Sequence, residues 1–241
     1  MIMGTAKFMP FKIREDFEKK VNCMPFNRDG KVIPDLVTNM TKNSFTAPLL
    51  LIKTDIIDGY NRIYIVDGHN RAVTALYLNI PFHGILLPNK FSNVEELVDF
   101  VSSHNSSQKA WVNMDYVRAY AHVGKKEYLD LIQIKSKTPY SITTVASILS
   151  SSNKSNNAKD IRKGSFKITR LKEAKNVFDY AGKLSKYKPL TNRMVLSLNS
   201  VMSLEIFDIN KFEESYAKYC HKIDKLSLDS FDKTFISWLE S

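Results

Sequence analysis

The stretch that most constrains the fold is residues 63–87, IYIVDGHNRAVTALYLNIPFHGILL. Ile63, Tyr64, Ile65 and Val66 are apolar and mostly β-branched or aromatic, the pattern of a buried strand. Asp67-Gly68-His69-Asn70 interrupts that run, and Gly68 can adopt backbone conformations closed to other residues. From Arg71, the apolar residues Ala72, Ala75, Leu76 and Leu78 recur at helical spacing. Asn79-Ile80-Pro81 ends the helix, because proline disfavours helical geometry in the residue before it. Phe82 to Leu87 reads as a second strand. A polar turn between strand and helix leaves free N–H groups at the helix start, which favours a phosphate. Arg71 lies in the first turn, where a cation opposes the helix dipole unless an anion is present.

The flanking sequence supplies more elements. Phe8, Phe11 and Ile13 around Pro10 read as an edge strand, and the charged residues 14–20 as a helix. Asn27-Arg28-Asp29-Gly30 is a turn by composition. Pro34-Asp35 opens a helix with Leu36, Val37 and Met40 on one face. Pro48 to Ile52 is an apolar strand, and Asp58-Gly59-Tyr60-Asn61 is a turn into the next one. Asn93 to Ser102 closes the module with Leu97, Val98 and Val101 at helical spacing. These elements predict an α+β module with a small mixed sheet over residues 1–105.

Asp67-Gly68-His69-Asn70-Arg71, followed by Ala72 and Ala75, resembles the G-x-x-R box of the ParB/sulfiredoxin fold. The similarity is greatest to phage and bacterial ParB-like proteins with an IxDGxxR motif. It extends upstream to the pair Asn27-Arg28 and downstream to Asn105, Trp111, Asp115 and Tyr116. Asn105, Gln108 and Lys109 also resemble the Asn-x-Gln-Arg box of partition proteins, with one extra residue. The resemblance implies a ParB/sulfiredoxin-like N-terminal module that binds a nucleoside triphosphate, CTP or ATP, with magnesium. Gly68, His69, Asn70, Arg71, Asn27, Arg28, Asn105, Gln108 and Lys109 would hold it. His104 stands where the family has a metal-holding acidic residue, which argues against magnesium-dependent hydrolysis.

The net charge of +10 is unevenly spread. Residues 106–170 hold 12 Lys+Arg against 4 Asp+Glu, whereas residues 1–105 hold 12 against 11 and residues 171–241 hold 11 against 10. A localised excess of this kind points to a polyanion, here DNA. Within that region, Pro139 to Ser151 reads as a helix and Ser150 to Asn157 as a mobile polar loop. Ala158 to Gly164 reads as a short basic helix ending at glycine. Helix, polar turn and basic helix together resemble a helix-turn-helix. Lys154, Lys159, Arg162, Lys163 and Lys167 are the expected phosphate contacts, with Asn156, Asn157 and Arg162 available for base edges. Trp111, Tyr116 and Tyr120 read as core rather than as base-stacking residues. Residues 171–241 carry apolar helical stripes and predict a C-terminal helical bundle, with homodimerisation through it as the expected assembly.

The residue inventory narrows the chemistry. Sulfiredoxin-type reduction needs a cysteine in the box, and this box has His69 and Asn70 in the middle positions. His69, His83, His104, His122 and His221 lack ligand spacing, so no metal site is expected from them. Asp67 has two open readings, as a helix cap or as the group that orients a metal, a base or Arg71. Free-serine kinases on this fold have a similar box, which makes phosphotransfer with Asp67 and His69 in catalytic roles an alternative. A nuclease is a third reading, without a second metal-holding carboxylate to support it. Cys23 and Cys220 are the two cysteines, too few for a disulfide framework. No apolar run approaches the ~20 residues that span a bilayer. A cytoplasmic protein without membrane contact is expected.

Overall fold

The computed structural model describes residues 5–12, 14–104, 111–150, 154–225 and 228–240. The chain divides into two compact units, residues 1–126 and residues 127–241. That division falls inside the basic segment 106–170, so the residues after 105 are shared between the two units.

The first unit is α+β. In chain order it contains β1 (Lys7–Phe11), α1 (Arg14–Lys20), β2 (Val21–Cys23), α2 (Pro34–Asn43) and β3 (Leu49–Thr54). These are followed by β4 (Arg62–Asp67), α3 (His69–Leu78), β5 (Phe82–Leu86), α4 (Val94–His104) and α5 (Asn113–His122). The five strands form one mixed sheet in the order β1-β5-β3-β4-β2. β1 is an edge strand, antiparallel to β5, as its Pro10 requires. β3 pairs antiparallel with β4 and parallel with β5. The short strand β2, parallel to β4, has no sequence signal of its own, because three residues are too few to show a period.

Alternation along the strands gives the sheet two apolar faces. Phe11, Leu49, Leu51, Ile65 and Phe82 form one core with Phe17 of α1, Met40 of α2, and Ala72 and Ala75 of α3. Ile52, Tyr64 and Val66 have the opposite parity and are buried, as are Leu97, Val98 and Val101 of α4, which packs against β4. Gly84 marks how tightly the first core is filled. A Cβ on it would lie 2.6 Å from Leu51 Cδ1.

The second unit is helical. It contains α6 (Lys126–Ser136), α7 (Ile142–Leu149), α8 (Lys154–Lys163), α9 (Leu171–Leu184) and α10 (Asn192–Val201). α11 (Ile209–Tyr219), a 3₁₀ turn (Cys220–Lys225) and α12 (Leu228–Glu240) complete it. α7 is apolar around most of its circumference and packs against α8, α9 and α10, with Val145, Ala146, Ile148 and Leu149 fully buried. Phe212, Tyr216 and Phe235 are fully buried among α10 to α12, and the rings of Phe212 and Phe235 meet edge to face at 5.1 Å. Among the described residues, no helix is long and apolar enough to cross a membrane.

Two sequence expectations change. α3 begins at His69 rather than Arg71, because Gly68 already turns the chain. Residues 154–157 are the first turn of α8 rather than a mobile loop. Ser and Asn have low intrinsic helix propensity, and here tertiary packing of Asn157 and Ile161 overrides it.

Two glycines with opposite surroundings test this packing. Gly84→Val overfills the core and is expected to lower stability by about 1–3 kcal/mol in urea unfolding. A Cβ on Gly182, in α9, would meet nothing within 4 Å, so Gly182→Ala is expected to gain about 1 kcal/mol.

Candidate functional site

The geometry of the 67–71 turn starts in the sheet. The register of β3 and β4 shifts between Leu50↔Asp67 and Leu51↔Ile65, leaving Val66 as a bulged residue. The Val66 carbonyl accepts a hydrogen bond from Asn27 Nδ2 at 3.1 Å. Asp67 therefore emerges from a bulge, next to Gly68 at φ 99° and ψ 17°. Glycine is favoured there chiefly by its backbone, and any side chain would also displace its neighbours. The backbone is left-handed, and a Cβ would lie 2.7 Å from Leu49 Cδ2 and 2.9 Å from Arg71 Nη2. α3 follows at once, and no side chain caps its first amides.

Arg71 is held inward. Its Nη2 donates to Asp67 Oδ2 at 3.0 Å and to the Pro48 carbonyl at 3.1 Å, and its side chain is 16% exposed. Arg71 Nε is buried without a hydrogen-bond partner. The anion that offsets this cation at a helix start is thus Asp67 itself, four residues back. Of the two readings for Asp67, orientation of Arg71 is the one seen.

His69 is the first residue of α3 and is 9% exposed. Its Nδ1 lies 3.5 Å from Asn27 Nδ2, and its Nε2 is buried without a partner. Burial pushes its pKa down to about 4, against the opposing pull of Asp67 and Asp29. The imidazole is neutral at pH 7. Asn70 Oδ1 accepts from the Lys31 amide at 2.8 Å. Asp67, His69 and Asn70 are all engaged or enclosed by protein.

The turn of residues 27–31 is packed directly on this box. Asn27 Oδ1 accepts from the Arg28 amide at 2.9 Å. A Cβ on Gly30 would lie 2.7 Å from Val73 Cγ2 and 2.9 Å from the His69 carbonyl. Arg28 reaches the other way, and its Nη2 donates to Asp115 Oδ2 at 2.6 Å. Asp115 Oδ2 also accepts from the Val112 amide at 2.9 Å, at the start of α5. Arg28 and Asp115, 87 positions apart, are therefore one ion pair. Nothing in the local sequence of either residue signals that pairing. Trp111 and Tyr120 are buried core residues, with Trp111 edge to face against Tyr116 at 5.1 Å. Asn105, Gln108 and Lys109 lie outside the described residues. Among the described residues, no group of three or more His, Cys, Asp and Glu is arranged to hold a metal ion.

The expected DNA contacts divide by helix face. α7 is capped by Ser141, whose side chain accepts from the Thr144 amide, and it ends at Leu149. Tyr128 of α6 is buried with its hydroxyl 3.2 Å from the carbonyls of Asp160 and Ile161, and it accepts from the Phe166 amide at 3.2 Å. This fixes the C-terminal half of α8 against α6. Gly164, at φ 72°, ends the helix. Asn156, Lys159 and Lys163, spaced at i, i+3 and i+7, share the exposed face, and Arg162 beside them is also exposed.

Asn157 departs from its expected role. It is 1% exposed, accepts from Ser150 Oγ at 2.7 Å and donates to Ser147 Oγ at 3.2 Å. It cannot read a base, because its amide ties α8 to α7. The sequence signal for this is its i, i+4 spacing with the buried Ile161. Lys167 is exposed and forms an ion pair with Glu127 at 2.7 Å. Lys154 opens α8, and its side chain lies outside the described residues.

The neutral, enclosed His69 makes the first unit sensitive to acid. An unfolded histidine takes up its proton near pH 6.5, whereas folded His69 resists until about pH 4. Between these values the unfolded chain binds more protons, so stability falls as pH is lowered from 6.5 to 4, by on the order of 3 kcal/mol. His69→Gln is expected to flatten that dependence, and NMR titration of the wild-type ring should give a midpoint near 4. A midpoint near 6.5 would contradict the burial of this ring. Compared with models of known protein families and with curated protein sequences, the chain finds no match in either.

Proposed function

We propose that this chain is a ParB-like DNA-binding protein. In this reading α7 and α8 act as a helix-turn-helix, and the Asp67–Arg71 turn holds a phosphate of a nucleoside triphosphate. The observation that carries DNA binding is the two-faced α8. Asn157 and Ile161 are buried against the other helices, while Asn156, Lys159, Arg162 and Lys163 are exposed. DNA phosphates would meet Lys159, Arg162 and Lys163, and Asn156 and Arg162 would face base edges.

Nucleotide binding has separate support. The first amides of α3 have no side-chain cap, and Arg71 stands in the same turn. The five-stranded mixed sheet with its β4-turn-α3 unit supports the reading of this unit as a ParB/sulfiredoxin-like module. A phosphate of CTP or ATP would take up these amides and compete with Asp67 for the guanidinium. Magnesium has no carboxylate cluster to receive it among the described residues. The phosphotransferase alternative needs Asp67 and His69 open to substrate, and one is paired while the other is enclosed. The C-terminal helices would supply a homodimer.

The test is the salt dependence of binding to a DNA duplex. Neutralising Lys159, Arg162 and Lys163 together should flatten the slope of log K against log salt by ~2 to 3 and weaken all sequences alike. An unchanged slope would make this face of α8 a solvated surface and remove the helix-turn-helix from the account.

A further inference from the structure

The first unit carries a second concentration of positive charge, at the end of the sheet remote from the 67–71 turn. Lys19, Lys20, Lys53 and Arg62 surround an open hollow of about 440 Å³, with Met9 and Ile63 in its apolar lining. The side chains of Asn22 and Asn61 complete the lining, and none of the lining residues is acidic. The four cations come from three separate places: the end of α1, the end of β3 and the start of β4. Total charge conceals them, since residues 1–105 are almost balanced.

Local structure explains only part of this cluster. Lys19 and Lys20 offset the carbonyls at the end of α1, and Lys20 pairs with Asp16 at 2.5 Å. Arg62 pairs with Asp58 at 3.2 Å. Lys53 has no such reason. It continues the core-facing column of Leu49 and Leu51 on β3, opposite Ile63 of β4, yet it is exposed. Among the described residues, no carboxylate lies within ion-pair distance of Lys19 or Lys53. Tyr60, beside the hollow, is 64% exposed, with the Arg62 guanidinium 4.9 Å from its ring centre.

We infer that this hollow is a second nucleic-acid contact, with Lys19, Lys20, Lys53 and Arg62 meeting backbone phosphates. Cations spread around an open rim suit a chain of phosphates. A small anion is held instead by donors converging on one point, in an enclosed pocket. The apolar floor and the exposed Tyr60 ring also give an unstacked base a surface to lie on. The phosphates can come from a duplex or from a single strand, and the two differ in their salt response.

This inference rests on nucleic acid being the partner, and the test separates the two. The full chain, Lys19→Ala/Lys53→Ala, and the α8 triple variant are each titrated with a short duplex and with its single strand over a range of salt. Loss of the two lysines is expected to lower the slope by ~1.8 if the hollow meets duplex, or ~1.4 if it meets a single strand. The α8 variant should lower the duplex slope independently, and the two effects should add. A slope unchanged by the lysine double variant in both arms overturns the hollow as a contact, even where the α8 variant lowers it. A slope lowered by the double variant alone supports the hollow and removes α8. Absence of binding to either nucleic acid by the wild type overturns both.

Discussion

The side chain of Asn27 holds the first unit's site together. Its Nδ2 satisfies the carbonyl of the bulged Val66, and its Oδ1 accepts the next backbone amide in its own turn. A bulge in a central strand leaves backbone groups that the ladder no longer pairs, and burying them unpaired costs on the order of 1–3 kcal/mol each. One amide side chain therefore adds a hydrogen bond at the bulge and at the same time seats residues 27–31 on α3. From that follow the close approach of Gly30 to His69, the bond from Lys31 to Asn70, and the position from which Arg28 reaches Asp115.

The same neighbourhood is electrostatically closed. Asp67 neutralises Arg71, Asp115 neutralises Arg28, and burial keeps His69 uncharged. Removing one partner of such a pair strands the other, which is why Asp67 and Arg71 are best understood together. A phosphate at the start of α3 would bring more negative charge and more acceptor oxygens than Asp67 does. The turn is accordingly at rest as it stands, and in the proposed nucleotide binding a ligand would act on it by exchanging one anion for another at Arg71.

Much of this is legible in the sequence where local chemistry decides. The strand, polar turn, helix and strand of residues 63–87 appear at those positions because periodicity, glycine and proline act over a few residues. The edge position of β1 follows from Pro10 in the same way. What escapes is long-range. β2 is a strand only because β4 lies beside it, and the Arg28–Asp115 pair joins residues 87 positions apart. The inward turn of Arg71 depends on the Pro48 carbonyl, which no motif around Arg71 announces. Asn157 looks like a base reader because its residue type fits DNA, whereas its spacing with Ile161 already places it on the inner face. The cations of the sheet-end hollow are invisible to a charge count, since nearby carboxylates cancel them in sequence but do not line the hollow.

In the proposed nucleotide binding, a phosphate would enter the turn between β4 and α3 by taking Arg71 from Asp67. The direct measurement is an NMR titration of the full chain, labelled with ¹⁵N, by CTP and by ATP, with and without magnesium. The account predicts that the backbone amides of His69, Asn70 and Arg71 shift together with the Arg71 Nε–H resonance, and that Asp67→Asn leaves this response in place. Shifts confined to other residues, or none at the turn with either nucleotide, would contradict it.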